Sequence, residues 1–132
     1  MNKELTTDLK NKKSITVEHK HSANEYGSGL LDVFSTPAMI ALMEQTSNEL
    51  LMPYLNDNET SVGIEINVKH LKATPVGDTV ICYVQLIEIR KNRITFKVEA
   101  FDSKGKIGEG IHKRAIVDKQ LFMTSVLNLH HS

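Results

Sequence analysis

The sequence is short of cysteine, of net charge and of long apolar runs, and each shortage closes off a class of protein. The single cysteine, Cys82, cannot form an intrachain disulfide and points to a reducing compartment. Sixteen basic residues balance sixteen acidic ones, whereas nucleic-acid binders carry a clear basic surplus. No apolar run approaches the roughly 20 residues needed to span a bilayer, and the polar start Met1 to Asp8 has no apolar signal core. The expectation is a cytoplasmic protein without nucleic-acid or membrane partners. Neither CxxC nor HxxxH spacing occurs, so no metal site is expected.

What is present suits one core. A chain of 132 residues with 40% hydrophobic content is read as a single domain over residues 1–132. Residues 1–13 are charged and polar and are read as a loose arm. Ser14 to His21 alternates weakly and is expected to form the first strand. His21 to Ser35, with Gly27 and Gly29, is expected to be a long loop of the kind that often closes over a site. Thr36-Pro37 is a helix start, with Ser35 or Thr36 as N-cap, and Met39, Ile40, Leu42, Met43, Leu50, Leu51 and Tyr54 follow at helical spacing. Pro53 falls in the last turn.

From Thr60 the chain reads as strands: Ser61 to Leu71, Thr79 to Ile89, Arg93 to Phe101 and Ile107 to Val117. Lys91-Asn92 and Asp102 to Gly105 make the turns, and Gly108 with Gly110 signals a bulge or a close backbone approach. Cys82 lies in an apolar strand segment and reads as a small buried hydrophobe. One helix and about five antiparallel strands make an α+β pattern. The helix is apolar or small around most of its circumference, so the sheet is expected to wrap it.

Two residues break this apolar pattern. In Ser61 to His70 the even positions are Val62, Ile64, Ile66, Val68 and His70, so His70 is expected to end a dry strand face. Glu44 is the one charged residue in the helix between Thr36 and Asn48. Taken singly, a water-satisfied histidine at a strand end and a salt-bridged glutamate at a rim are the plain structural readings. Together, a carboxylate, an imidazole and the Thr36 hydroxyl at a helix N-terminus suggest an acyl-transfer site. Thr36 and Glu44 lie eight residues apart, about 12 Å along a helix axis, too far to share one acyl carbon. Either the chain turns back at Thr36 or two subunits each supply part of the site, and an obligate homodimer with the site at its interface is the expectation.

These residues resemble the hotdog-fold thioesterases, and within them the fluoroacetyl-CoA thioesterase-like group. The resemblance rests on three segments. Val33 to Met39 with Leu42-Met43-Glu44 resembles the group's hydroxyl-plus-carboxylate helix motif. Ser61-Val62-Gly63 with Val68 to Pro75 resembles its histidine motif. Ile107-Gly108-Glu109-Gly110-Ile111-His112-Lys113-Arg114 resembles its Ile-Gly-x-Gly-x-His-x-Arg strand. The resemblance implies a hotdog fold, hydrolysis of a small or medium acyl-CoA, catalytic positions at Thr36, Glu44 and His70, and a substrate-carbonyl position at Gly63. It implies no cofactor beyond the coenzyme A of the substrate, and a dimer that can stack into a dimer of dimers.

Met39, Met43 and Phe34 are candidates for the pocket floor. Lys69, Lys72, Lys113 and Arg114 are candidates for coenzyme A phosphates, and His112 with Arg114 for substrate or dimer contact. The resembled lid loop carries aromatics in the fluoroacetate-specialised member and Gly27 and Leu30 here, a departure from that selectivity. A non-catalytic acyl-CoA binding module and a hydratase on the same fold are the competing readings.

Overall fold

A computed structural model describes residues 4–131. The described residues form five strands, β1 (Lys10–Thr16), β2 (Glu59–His70), β3 (Thr79–Arg90), β4 (Arg93–Asp102) and β5 (Gly105–Asp118), and three α-helices, α1 (Ala23–Tyr26), α2 (Thr36–Leu51) and α3 (Lys119–His131). The strands make one antiparallel sheet in the order β1-β3-β4-β5-β2, which leaves β1 and β2 as its edges.

Helix α2 forms where its sequence directs. Ser35 is the N-cap, its hydroxyl accepting from the Ala38 N–H at 3.1 Å, and Pro37 sits in the first turn. The α-helix ends at Leu51, and Met52–Tyr54 tightens into a 3₁₀ turn around Pro53. One wide face (Ala38, Met39, Leu42, Met43, Thr46, Ser47, Leu50, Leu51) is buried against the sheet. The Thr46 and Ser47 hydroxyls are satisfied by the carbonyls of Leu42 and Met43 one turn back. The opposite row, including Ile40, Ala41 and Glu44, is half-buried, so the helix is less enclosed than its composition implies. Val80, Cys82, Val84 and Leu86 of β3 and Ile94, Phe96, Val98 and Ala100 of β4 complete the core, each large side chain contributing about 1.5–3 kcal/mol by leaving water.

Strand β2 departs from simple alternation. Its register against β5 shifts between Gly63 and Glu65, leaving Ile64 as an extra residue. Before the bulge, Ser61 and Gly63 face α2. After it, Ile66, opposite His112, Val68 and His70 do so. The expected continuous dry row from Val62 to His70 is therefore broken. Val62 lies opposite Ala115 on the outer face, and Ile64 and Ile66 are left exposed.

Three other expectations change. The loose arm over residues 1–13 is replaced by structure wherever it is described (Met1 to Lys3 lie outside the described residues). Leu5 is buried, Gln85 donates to the Asp8 carboxylate, and residues 10–13 begin β1, which ends at Thr16. The loop from His21 to Ser35 contains α1 and is pinned by isolated bridges at Ser22–Phe34 and Val33–Pro75. Helix α3 has no counterpart in the sequence expectations. Its first turn is capped by Asp118, whose carboxylate accepts from the Leu121 N–H at 2.9 Å.

Gly108 and Gly110 mark the close approach that the sequence suggests. A Cβ at Gly108 would lie on the Met39 sulfur, and one at Gly110 on the Asn67 carbonyl oxygen and 2.6 Å from Val68 Cα. Backbone cannot yield as a flexible side chain can. Gly110→Ala should therefore destabilise the fold by about 1–3 kcal/mol, seen as a fall of several degrees in Tm. An unchanged thermal melt would contradict the packing described.

Candidate active site

Two clusters of polar side chains flank α2. The first forms at its N-terminus. Because Ser35 does the capping, the Thr36 hydroxyl is free, and its Oγ1 lies 2.8 Å from His70 Nδ1 at the end of β2. The His70 ring meets Phe34 edge-on at 6.4 Å between centroids, and Phe34 meets His21 in the same way. Thr36, His70, Phe34 and Lys72 line a common cleft. His70 Nε2 is shut off from solvent and has no hydrogen-bond partner among the described residues. Whichever way the proton lies between Thr36 and Nδ1, Nε2 faces the cleft side of the ring near the Lys72 backbone rather than a side-chain partner. Burial pushes the His70 pKa below its ordinary 6.5, with the Lys72 backbone pulling weakly the other way.

The second cluster forms midway along α2. The Glu44 side chain is 44% exposed, and its Oε2 lies 3.8 Å from Arg114 Nη1. It packs over Gly63, where a Cβ would come within 2.8 Å of the same oxygen. A side chain at Gly63 would displace the Glu44 carboxylate from this place. Arg114 is buried. Its Nε donates to Ser61 Oγ at 2.8 Å and its Nη2 to the Ser61 carbonyl at 3.1 Å. Ser61 in turn donates to Asn48 Oδ1 at 2.7 Å. His112 lies beside Arg114 on the same face of β5. Glu44, Gly63 and His112 line a cleft with Ile64, Glu65 and Ile66.

The structure thus pairs Thr36 with His70, and Glu44 with Gly63 and Arg114, but within one protomer the two groups open into different clefts. Several nominated residues take other places. Met39 is fully buried beneath Gly108 as part of the core and lines neither cleft. Arg114 is held inside and is no mouth cation for coenzyme A phosphates. Lys113 reaches Glu65 at 4.0 Å, and Lys69 lies with Glu109 in a groove on the outer face of the sheet. Lys72 is the nominated lysine that lines the Thr36–His70 cleft. Ser61, which anchors Arg114, and Asn48, which holds Ser61, are not among the site residues expected from the sequence. The one hint was Gly63 itself, since a glycine inside a strand often marks a bulge.

Residues 17–120 match the fluoroacetyl-CoA-specific thioesterase family. The chain belongs to that family. The fluoroacetyl-CoA thioesterase of Streptantibioticus cattleyicolor is 34% identical over 111 residues, spanning 84% of this chain and 80% of that protein. A solved structure of a fluoroacetyl-CoA thioesterase superposes with a TM-score of 0.90 at 28% identity, covering 96% of this chain and 98% of the other. A thioesterase-superfamily protein from Thermus thermophilus shares the fold, with a TM-score of 0.89 at 21% identity over 96% of this chain and 94% of its own. The fold is therefore the hotdog, and the protein is a thioester hydrolase acting on acyl-CoA.

The two histidines make the fold sensitive to mild acid. Burial holds both His70 and His112 below the 6.5 at which an unfolded histidine protonates. Below that pH the unfolded chain binds protons that the folded chain refuses, so unfolding becomes easier as pH falls. Urea unfolding should give a lower ΔG at about pH 5.5 than at about pH 7.5. His70→Gln should make the decline shallower, and an unaltered slope in that variant would remove His70 from the account.

Proposed function

We propose that the catalytic centre is shared between two copies of the chain, with Thr36 and His70 from one protomer facing Glu44 and Gly63 from its partner. The observation that carries this is the separation of the two clefts in a single protomer. The route to a dimer is edge strand β2, twelve residues long, free of proline and bearing exposed Ile64 and Ile66. A bare edge of that kind is a ready surface for a second copy, and stacking of two such dimers is compatible with the free outer face of the sheet.

In this reading the substrate is an acyl-CoA with a small or medium acyl group, placed with its carbonyl between the two clusters. The Glu44 carboxylate attacks that carbonyl or takes the proton of an attacking water. The Thr36 hydroxyl donates to His70 Nδ1 and so keeps the ring proton on Nε2, while the carbonyl oxygen, as it gains charge, is stabilised by the positive end of α2 and the Gly63 N–H. The carbon–sulfur bond then breaks, and His70, acting through Nε2, supplies the proton that releases coenzyme A as the thiol; where Glu44 itself attacked, water then cleaves the glutamyl anhydride to the free acid and restores the carboxylate. No cofactor is required. Phe34 braces the His70 ring, and Lys72 at the cleft meets a phosphate of coenzyme A. The loop from His21 to Ser35 offers Gly27 and Leu30 where the fluoroacetate-specialised member carries aromatics, and on that departure we read the acyl group as one other than fluoroacetyl. We place the reaction in the cytoplasm, where the lone Cys82 is at home.

Thiol release from a panel of acyl-CoAs tests the assignment. Glu44→Gln and His70→Ala should each lower kcat by about a hundredfold or more, with dimerisation preserved by light scattering. Mixing the two variants after joint refolding should restore about a quarter of wild-type activity, because half the dimers then carry one intact site. A mixture as inactive as its parts would place the whole site within one protomer and sink the shared-centre reading.

A further inference from the structure

The polar cluster behind Glu44 contains a histidine for which the proposed reaction has no step. His112 is 1% exposed, and its ring stacks on Phe96 at 6.3 Å between centroids. Its Nδ1 lies 2.8 Å from the Glu65 carbonyl oxygen, beside the β2 bulge. A carbonyl can only accept, so Nδ1 carries the proton. Its Nε2 lies 3.2 Å from Arg114 Nη1. A guanidinium can only donate, so Nε2 presents its lone pair. The two neighbours leave one tautomer, neutral and protonated at Nδ1.

That tautomer does something specific for Arg114. With Nε and Nη2 committed to Ser61 and Nη1 to His112, the guanidinium is gripped along its length. What it then presents to Glu44 Oε2, 3.8 Å away, is a charge in a fixed place. The bare surface of Gly63 closes the other side of the carboxylate. A proton added to Nε2 would turn the acceptor into a donor and set one cation against another. The groups that face His112 are Arg114 on its own strand, Glu44 from α2, the Glu65 carbonyl from β2 and the Phe96 ring from β4. Burial opposes the imidazolium most. The Glu65 carbonyl favours it, Arg114 opposes it and Glu44 favours it, in that order.

We infer that His112 is a positioning residue: as a neutral imidazole it accepts from Arg114 and so fixes the guanidinium that aims the Glu44 carboxylate. The inference rests on the reading of Glu44 as the reacting carboxylate, and it adds a residue that acts through another.

His112→Phe keeps a ring on Phe96 and removes both hydrogen bonds, whereas His112→Gln returns an acceptor within reach of Arg114. In a thiol-release assay, His112→Phe should lower kcat about tenfold or more with KM within about threefold, and His112→Gln should recover most of the loss. In an Arg114→Met background, His112→Phe should cost little further, because its effect passes through the guanidinium. An equal loss of kcat in both backgrounds, or a Gln variant as impaired as Phe, would overturn the inference.

A second measurement needs neither activity nor a folded variant. The ¹⁵N spectrum of histidine-labelled wild-type protein at neutral pH should give His112 a protonated Nδ1 and a bare Nε2, and the opposite tautomer would refute the assignment. If the wild type releases thiol from no acyl-CoA, the proposed reaction falls, and this spectrum still decides the tautomer.

Discussion

Strand β2 carries one more residue than β5 between Gly63 and Glu65, and that surplus decides which side chains reach α2. A strand that alternates strictly presents one set of residues to one face along its whole length. The extra residue resets the alternation. One half of β2 can then turn Ser61 and Gly63 toward the helix while the other half turns Val68 and His70 the same way. Without the reset, either the anchor of Arg114 or the imidazole would point out of the sheet. The polar groups at the N-terminus and at the middle of α2 thus share a dependence on one local irregularity of the backbone.

The buried guanidinium is the second constraint. Arg114 loses hydration on entering the sheet–helix interface, and burial presses its pKa below the usual arginine value while Glu44 presses back. Such a charge is tolerable when it is paired and hydrogen-bonded. Ser61 and His112 accept from the guanidinium and Glu44 faces it as a counter-charge, so β2, β5 and α2 are tied by one side chain. The exposed Ile64 and Ile66 lie beside this tie on an unpaired edge, and a second protomer seated there would cover the Glu44 cleft from outside.

Much of this was legible in the sequence, and the failures have physical causes. The start of α2, the four later strands, Cys82 as a core residue and the crowding at Gly108 and Gly110 all follow from local signals of capping, period and turn chemistry. His70 facing the helix was read correctly, although by way of a row that the bulge interrupts. Local pattern could not reveal that interruption, because Val62, Ile64 and Ile66 are all apolar and look alike whichever face they occupy. Met39 and Arg114 were misplaced for a related reason. The depth of a side chain depends on what lies above it, here Gly108 for Met39 and the Ser61 shelf for Arg114. The early part of β1 is lysine-rich, and its pairing with β3 rests on backbone hydrogen bonds that composition does not disclose.

Cys82 has a consequence for the life of the enzyme. Its thiol is sealed in the core and burial pushes its pKa up to about 11. At neutral pH the group stays a thiol, and its sulfur is fully buried. Hydrolysis of acyl-CoA liberates a mercaptan at every turnover. A protein that discharges free mercaptan beside itself gains by exposing no reactive sulfur of its own, since mixed disulfides with its product then have nowhere to form.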